Sequence, residues 1–166
     1  VNLPNTDLKP ASLLLNPQAE ASFASYYHLI EKKLEQTFHD QSRYLLTIAS
    51  SENDGQSDLF AANLGIALAK SGRNVILVDA NVERPILHQL FALSNQRGLT
   101  TAVLDSKLQI DRHLQESSVK GLQLVARGPM ATASADFVTH PRLQQLLSTL
   151  AETHDCFILN LGYLYQ

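Results

Sequence analysis

The residues whose types and spacing could do chemistry fall between Ser50 and Ser57, which read Ser-Ser-Glu-Asn-Asp-Gly-Gln-Ser. A loop leading from a strand into a helix gathers backbone N–H groups and the positive end of the helix on one point, and that arrangement suits a phosphate. The working pattern is G-x-x-x-x-G-K-[ST]: glycines let the backbone approach, the lysine reaches the outer phosphates and the hydroxyl holds a magnesium ion. Gly55 and Ser57 meet it, but Gln56 stands at the lysine position, and the next lysine, Lys70, lies at the far end of the following helix. Glu52, Asp54 and Asp58 bring carboxylates instead. One carboxylate about 4 Å from a phosphate charge costs roughly 1 to 4 kcal/mol, depending on the local dielectric. Asn53, Asp54, Gly55, Gln56 and Ser57 are therefore expected to form a degenerate phosphate loop. Without a lysine beside it, Ser57 is expected to cap the helix rather than hold a metal, and Asp58 could do the same.

The elements that would position this loop follow from the apolar pattern. Asn16-Pro17 is a helix start, and Phe23, Tyr27, Ile30, Leu34 and Phe38 make one apolar stripe after it. Tyr44 to Ala49 reads as a short buried strand, Ser50 to Asp58 as a turn, and Leu59 to Lys70 as a helix stopped at Ser71-Gly72. Val75 to Val78 is a second buried strand ending at Asp79. A short helix from Leu87 to Leu93 and a Gly98-led helix to Leu104 come next, then a strand from Leu122 to Ala126. Pro141 opens a helix with Leu143, Leu146, Leu147 and Leu150 on one face, and Cys156 to Leu161 is the last strand. Short apolar strands alternating with helices predict an α/β fold of three layers, a parallel sheet covered by helices on both faces.

Composition narrows the class. The chain has 166 residues, 45% of them apolar, enough for one domain with a real core. Residues 1–16 read as a linker or surface arm and 17–166 as a single domain. Lys and Arg number 13 against 16 Asp and Glu, a net charge of −3 that argues against a nucleic-acid surface. The lone cysteine, Cys156, excludes a disulfide framework and a cysteine-based zinc cluster, and it is expected to be a small buried group. The six histidines show no metal-ligand spacing, so no metal site is expected from them. No apolar run is long enough to cross a bilayer. The chain starts without Met and is read as a piece of a longer protein.

Several segments in order carry a resemblance: Ala61-Ala62-Asn63-Leu64-Gly65-Ile66-Ala67-Leu68-Ala69, Ser71-Gly72-Arg73-Asn74-Val75-Ile76-Leu77-Val78-Asp79-Ala80, Arg84-Pro85 and His88-Gln89-Leu90-Phe91. Gly98-Leu99-Thr100, Ala126-Arg127-Gly128-Pro129, His140-Pro141-Arg142-Leu143 and His154-Asp155-Cys156-Phe157-Ile158-Leu159-Asn160 continue it. From Asn16 onward the chain resembles the cytoplasmic domain of bacterial tyrosine autokinases, the BY-kinases of capsule and exopolysaccharide export, which are relatives of the Min/Par ATPases. The resemblance implies a P-loop NTPase-like fold, one that here stops just past the Walker B strand.

Against the family pattern, the reactive positions differ. The family's Gly-x-Gly-Lys-Ser run is Asn53-Asp54-Gly55-Gln56-Ser57 here, with one residue more before Ala61-Ala62-Asn63, so Ser57 could also be the lysine equivalent. The second Walker motif, Asp-x-Asp, reads Asp79-Ala80-Asn81, followed by Glu83 where a basic residue is usual, and the Walker B strand ends in Asn160 rather than Asp. An amide cannot replace a carboxylate as a metal-organising anion or a proton acceptor. The family's opening helix carries Glu-x-x-Arg-x-x-Arg toward a neighbouring subunit; here those positions are Glu20, Phe23 and Tyr26, which predicts a changed or absent ring assembly.

Four altered motifs on an intact apolar pattern lead to the expectation of a pseudo-enzyme with no catalytic residue and no cofactor. It would act as a scaffold or regulator in exopolysaccharide or capsule biosynthesis and export. The alternative is a divergent tyrosine autokinase or partitioning-type ATPase that takes ATP or ADP with magnesium and draws its cation from elsewhere, such as Arg84. The expected partners are a membrane-embedded export or chain-length subunit and a catalytically active homologue, with self-association left open. The expected place is the cytoplasmic face of the bacterial inner membrane.

Overall fold

A computed structural model describes residue 14 and residues 21–39, 42–52, 54–105, 109–129 and 140–164. The elements in chain order are α1 (Ala21–Thr37), β1 (Tyr44–Ser50), α2 (Gln56–Lys70), β2 (Val75–Asp79), α3 (Leu87–Leu90) and α4 (Leu99–Leu104). A 3₁₀ turn (Ile110–His113), β3 (Gln115–Glu116), β4 (Leu122–Val125), α5 (Pro141–Thr153) and β5 (Cys156–Tyr163) follow. The five strands form one sheet in the order β1-β5-β2-β4-β3. β1, β5, β2 and β4 run parallel, while β3 pairs with β4 in the antiparallel sense. The fold is thus mixed α/β, a mostly parallel sheet flanked by helices.

The period of two along β2 divides the core. Val75 and Leu77 join Leu64, Leu68, Leu122 and Ile158 on the face under α2, while Ile76 and Val78 join Leu99, Val103, Leu146 and Leu150 on the face under α4 and α5. β2 is buried throughout because it lies between β5 and β4 with helices on both sides. Gly65 lets α2 lie close to the sheet: a Cβ there would sit 3.3 Å from the Leu122 side chain. On α1, Tyr27 is buried and Tyr26 is 68% exposed, as adjacent helical positions require.

Three expectations change. Among the described residues β1 is an edge strand that alternates rather than a buried one: its one partner there is β5, and Leu45 is 63% exposed. The sheet is not wholly parallel, because residues 115–116 turn back against β4 by too short a stretch for periodicity to reveal. α2 begins at Gln56, three residues before the apolar run, because its opening is fixed by Gly55 in the left-handed region (φ 78°) and by Asp54 Oδ1 accepting from the Gln56 N–H at 2.9 Å.

Candidate functional site

The carboxyl ends of the parallel strands meet at one edge, where open α/β sheets bind their ligands. β1 delivers the loop ending at Gly55, β2 ends at Asp79, β5 carries Asn160 and β4 runs into Arg127. The register sets Asp79 beside Asn160, and the Ala80 N–H donates to the Asn160 carbonyl at 2.8 Å.

At the loop, Ser57 is buried in the first turn of α2, not at its cap; Gly55 holds the cap position with no side-chain bond. Gln56 is exposed, and Ser50, Gln56, Ser57 and Phe60 line an open depression beside the start of α2. The residue that organises the site is Asp58. It is 2% exposed, and its Oδ1 accepts from Asn160 Nδ2 at 2.6 Å and from Asn81 Nδ2 at 3.1 Å. Burial pushes its carboxyl up, opposed by those two amides and by the nearby charge of Arg84.

Asn81 is satisfied at every polar position of its side chain. Its second N–H reaches the Arg84 carbonyl at 3.0 Å, and its Oδ1 accepts from the Glu83 and Arg84 N–H groups at 3.1 and 3.0 Å. Gly162, with φ +67°, makes room for it: a Cβ there would collide with the Asn81 amide. An aspartate at 81 or 160 would have no donor to offer Asp58 and would set two anions against each other. Asp58, Asn81 and Asn160 are therefore one hydrogen-bonded unit in which the carboxylate sits on α2, one amide in the loop after β2 and the other on β5.

Asp79 is fully buried, with Oδ1 accepting from the Asn81 N–H at 3.2 Å and Oδ2 from the Leu87 N–H at 3.3 Å. Burial and the charge of Asp58 push its carboxyl up to about 7, opposed by those N–H groups and by Arg127. Arg127 is also fully buried, and none of Nε, Nη1 and Nη2 has a hydrogen-bond partner among the described residues. Burial pushes its guanidinium down, and Asp79 opposes that. An unpartnered buried cation costs several kcal/mol.

The structure thus brings Asp54, Gly55, Gln56, Ser57, Asp79, Asn81 and Asn160 to one edge and adds Asp58 and Arg127. Glu20 and Asn53 lie outside the described residues; Phe23 and Tyr26 lie on α1, away from this edge in the chain. Sequence reading treats Asp58 as a cap or a stray charge. The signal that it is neither was the extra residue before Ala61 together with the two amides Asn81 and Asn160, which supply the donors a buried carboxylate needs. Arg127 offered no signal of burial. Arg142 takes a structural role, with Nη1 donating to the Asp105 carbonyl at 3.4 Å, and Cys156 is buried, its thiol pushed up to about 12. Among the described residues no group of three acidic, His or Cys side chains is placed to hold a metal.

No family model matches the chain. Among curated proteins, the tyrosine-protein kinase YwqD of Bacillus subtilis is 27% identical over 135 residues, 81% of this chain and 56% of that kinase. A putative tyrosine-protein kinase in the cps region of Klebsiella pneumoniae is 26% identical over 116 residues, 70% of this chain and 16% of its length. The chain therefore spans about half, or much less, of these relatives. In fold, the kinase domain of Escherichia coli tyrosine kinase ETK superposes with a TM-score of 0.81 at 19% identity, covering 93% of this chain and 59% of that domain. The septum site-determining protein MinD from Pyrococcus horikoshii, complexed with Mg-ADP, superposes at 0.60 and 16% identity, covering 75% and 51%.

These findings correct two expectations. A non-enzyme is at odds with relatives that are named tyrosine-protein kinases, and the expectation of no cofactor is at odds with a fold neighbour complexed with Mg-ADP. Asn81 and Asn160, read in the sequence as two separate altered positions, are both bonded to the carboxylate of Asp58. The homologues of this chain are bacterial tyrosine-protein kinases, and its fold neighbours join BY-kinase domains to the MinD and ParA ATPases.

Proposed function

We propose that the chain is a nucleotide-handling, phosphoryl-transfer domain of the tyrosine-kinase type, working in bacterial capsule or exopolysaccharide biosynthesis. The observation that carries this reading is the buried carboxylate pair Asp58 and Asp79, set at the carboxyl edge of the sheet where α2 begins. The Asp58 charge raises the affinity of Asp79 for a proton, and a divalent cation, which prefers hard oxygen ligands, would offset the same excess of negative charge. Asp58 and Asp79 are the residues that would hold magnesium, and the backbone at Gly55 and the start of α2 would receive phosphate oxygens. A bound magnesium ion neutralises charge on those oxygens.

This chain's own groups do the rest. Asn81 and Asn160 fix Asp58 in one orientation, and the N–H groups of Asn81 and Leu87 fix Asp79. Without a cation, burial and the Asp58 charge push the Asp79 carboxyl up to about 7; a bound cation would favour its ionised form. The setting follows from relatives such as the kinase in the Klebsiella cps region. The partner we propose is a membrane-embedded export or chain-length subunit at the inner face of the membrane; no helix among the described residues is long and apolar enough to cross one.

The test is transfer of labelled phosphate from ATP to tyrosine, on this chain or on a co-expressed export subunit. The expected result is phosphotyrosine that depends on magnesium and is lost in Asp79→Asn. No transfer with intact nucleotide binding would overturn the kinase part of the reading.

A further inference from the structure

Arg127 carries a feature that the site described so far does not use. Its backbone is fixed: its carbonyl accepts from the Thr100 N–H at 2.9 Å, and the next residue, Gly128 (φ +92°), donates its N–H to Asn95 Oδ1 at 2.8 Å. Its side chain is fully buried with three nitrogens unpartnered among the described residues. His88 on α3 lies within reach of its field, which together with burial holds the imidazole below its ordinary range, and His88 Nδ1 is also buried without a partner. Thr100 Oγ1, against Gly128, is a third such atom. Unsatisfied polar atoms are rare in folded interiors, and three residues carrying them at one end of β2 and β4 call for a common explanation.

We propose that Arg127 is a phosphate-binding residue, its guanidinium held ready for an anionic phosphoryl group beyond the ends of β2 and β4, with His88 beside it. A guanidinium presents a planar fork that pairs two phosphate oxygens at once, and one that makes no hydrogen bond to the described residues breaks none to do so, its nearby counter-charge being Asp79. The guanidinium is fully buried in the structure, so binding requires it to become accessible to the anion. The identity of the anion as a phosphoryl group rests on the function proposed above. Two sources share that chemistry, the terminal phosphate of a nucleotide and a phosphorylated tyrosine side chain.

The test compares the whole chain with Arg127→Met and Arg127→Lys by thermal unfolding and by titration with inorganic phosphate, Mg-ATP and phosphotyrosine. Arg127→Met removes a buried cation at similar volume together with the charge that opposes the raised Asp79 carboxyl, so phosphate affinity, not ligand-free Tm, is the deciding readout. Its affinity for phosphate should fall about tenfold or more, with Arg127→Lys between the two. Weakened Mg-ATP binding identifies the nucleotide as the source; weakened phosphotyrosine binding identifies the acceptor side. Unchanged affinity of Arg127→Met for all three ligands overturns the proposal, whatever its ligand-free Tm. A parent chain that binds phosphate through Arg127 but no nucleotide would overturn the proposed function and leave the anion site standing.

Discussion

At the scale of single residues, the account turns on two buried carboxylates. A carboxyl raised from 3.8 to about 7 favours the proton in the folded state. The stability tied to Asp79 is therefore complete below its ordinary pKa and is lost as pH rises through about 7. At roughly 1.4 kcal/mol per pH unit the whole span is about 4 kcal/mol. Denaturant midpoints measured in EDTA should fall between pH 5 and pH 8 more steeply for the parent than for Asp79→Asn; parallel profiles would contradict the assignment. The Asp58 unit makes a second prediction. Asn160→Asp replaces a donor 2.6 Å from Asp58 with an anion and should cost about 2 to 4 kcal/mol in urea unfolding. Adding Asp58→Asn restores a donor–acceptor pair and should recover most of that loss. A neutral single variant, or a double variant no better than the single, would show that the three side chains do not act together.

At the scale of elements, Gly162 on β5 admits the Asn81 side chain and sits at φ +67°. Gly162→Ala should cost about 2 to 3 kcal/mol, more than Gly72→Ala, which shares a positive φ of +95° but has open space around it. Equal losses in thermal unfolding would mean that the collision with Asn81 does not matter. The strands and helices themselves were legible because their apolar periods are clean: β2, β4, β5 and α5 fall where the pattern puts them. β3, at two residues, was not. The start of α2 was missed because it is set by the backbone of Gly55 and the Asp54 side chain rather than by apolar spacing. The Asp58 unit was hidden for a different reason. Its contacts span 23 and 102 residues, and a charge moved from a strand to a helix reads in sequence as one stray acid and two missing ones.

At the scale of the whole molecule, a sheet shared in fold with tyrosine kinases and with MinD presents at its carboxyl edge an organised set of groups: Asp58 and Asp79, which we propose hold a cation, and the start of α2 and Arg127, which we propose receive phosphate. The central claim is that this edge binds a magnesium nucleotide without a loop lysine. Isothermal titration of the chain with ADP, with and without magnesium, tests it most directly. The account predicts saturable binding that requires magnesium and weakens about tenfold or more in Asp58→Asn. Absence of heat and of any thermal shift at millimolar nucleotide with magnesium present would contradict it.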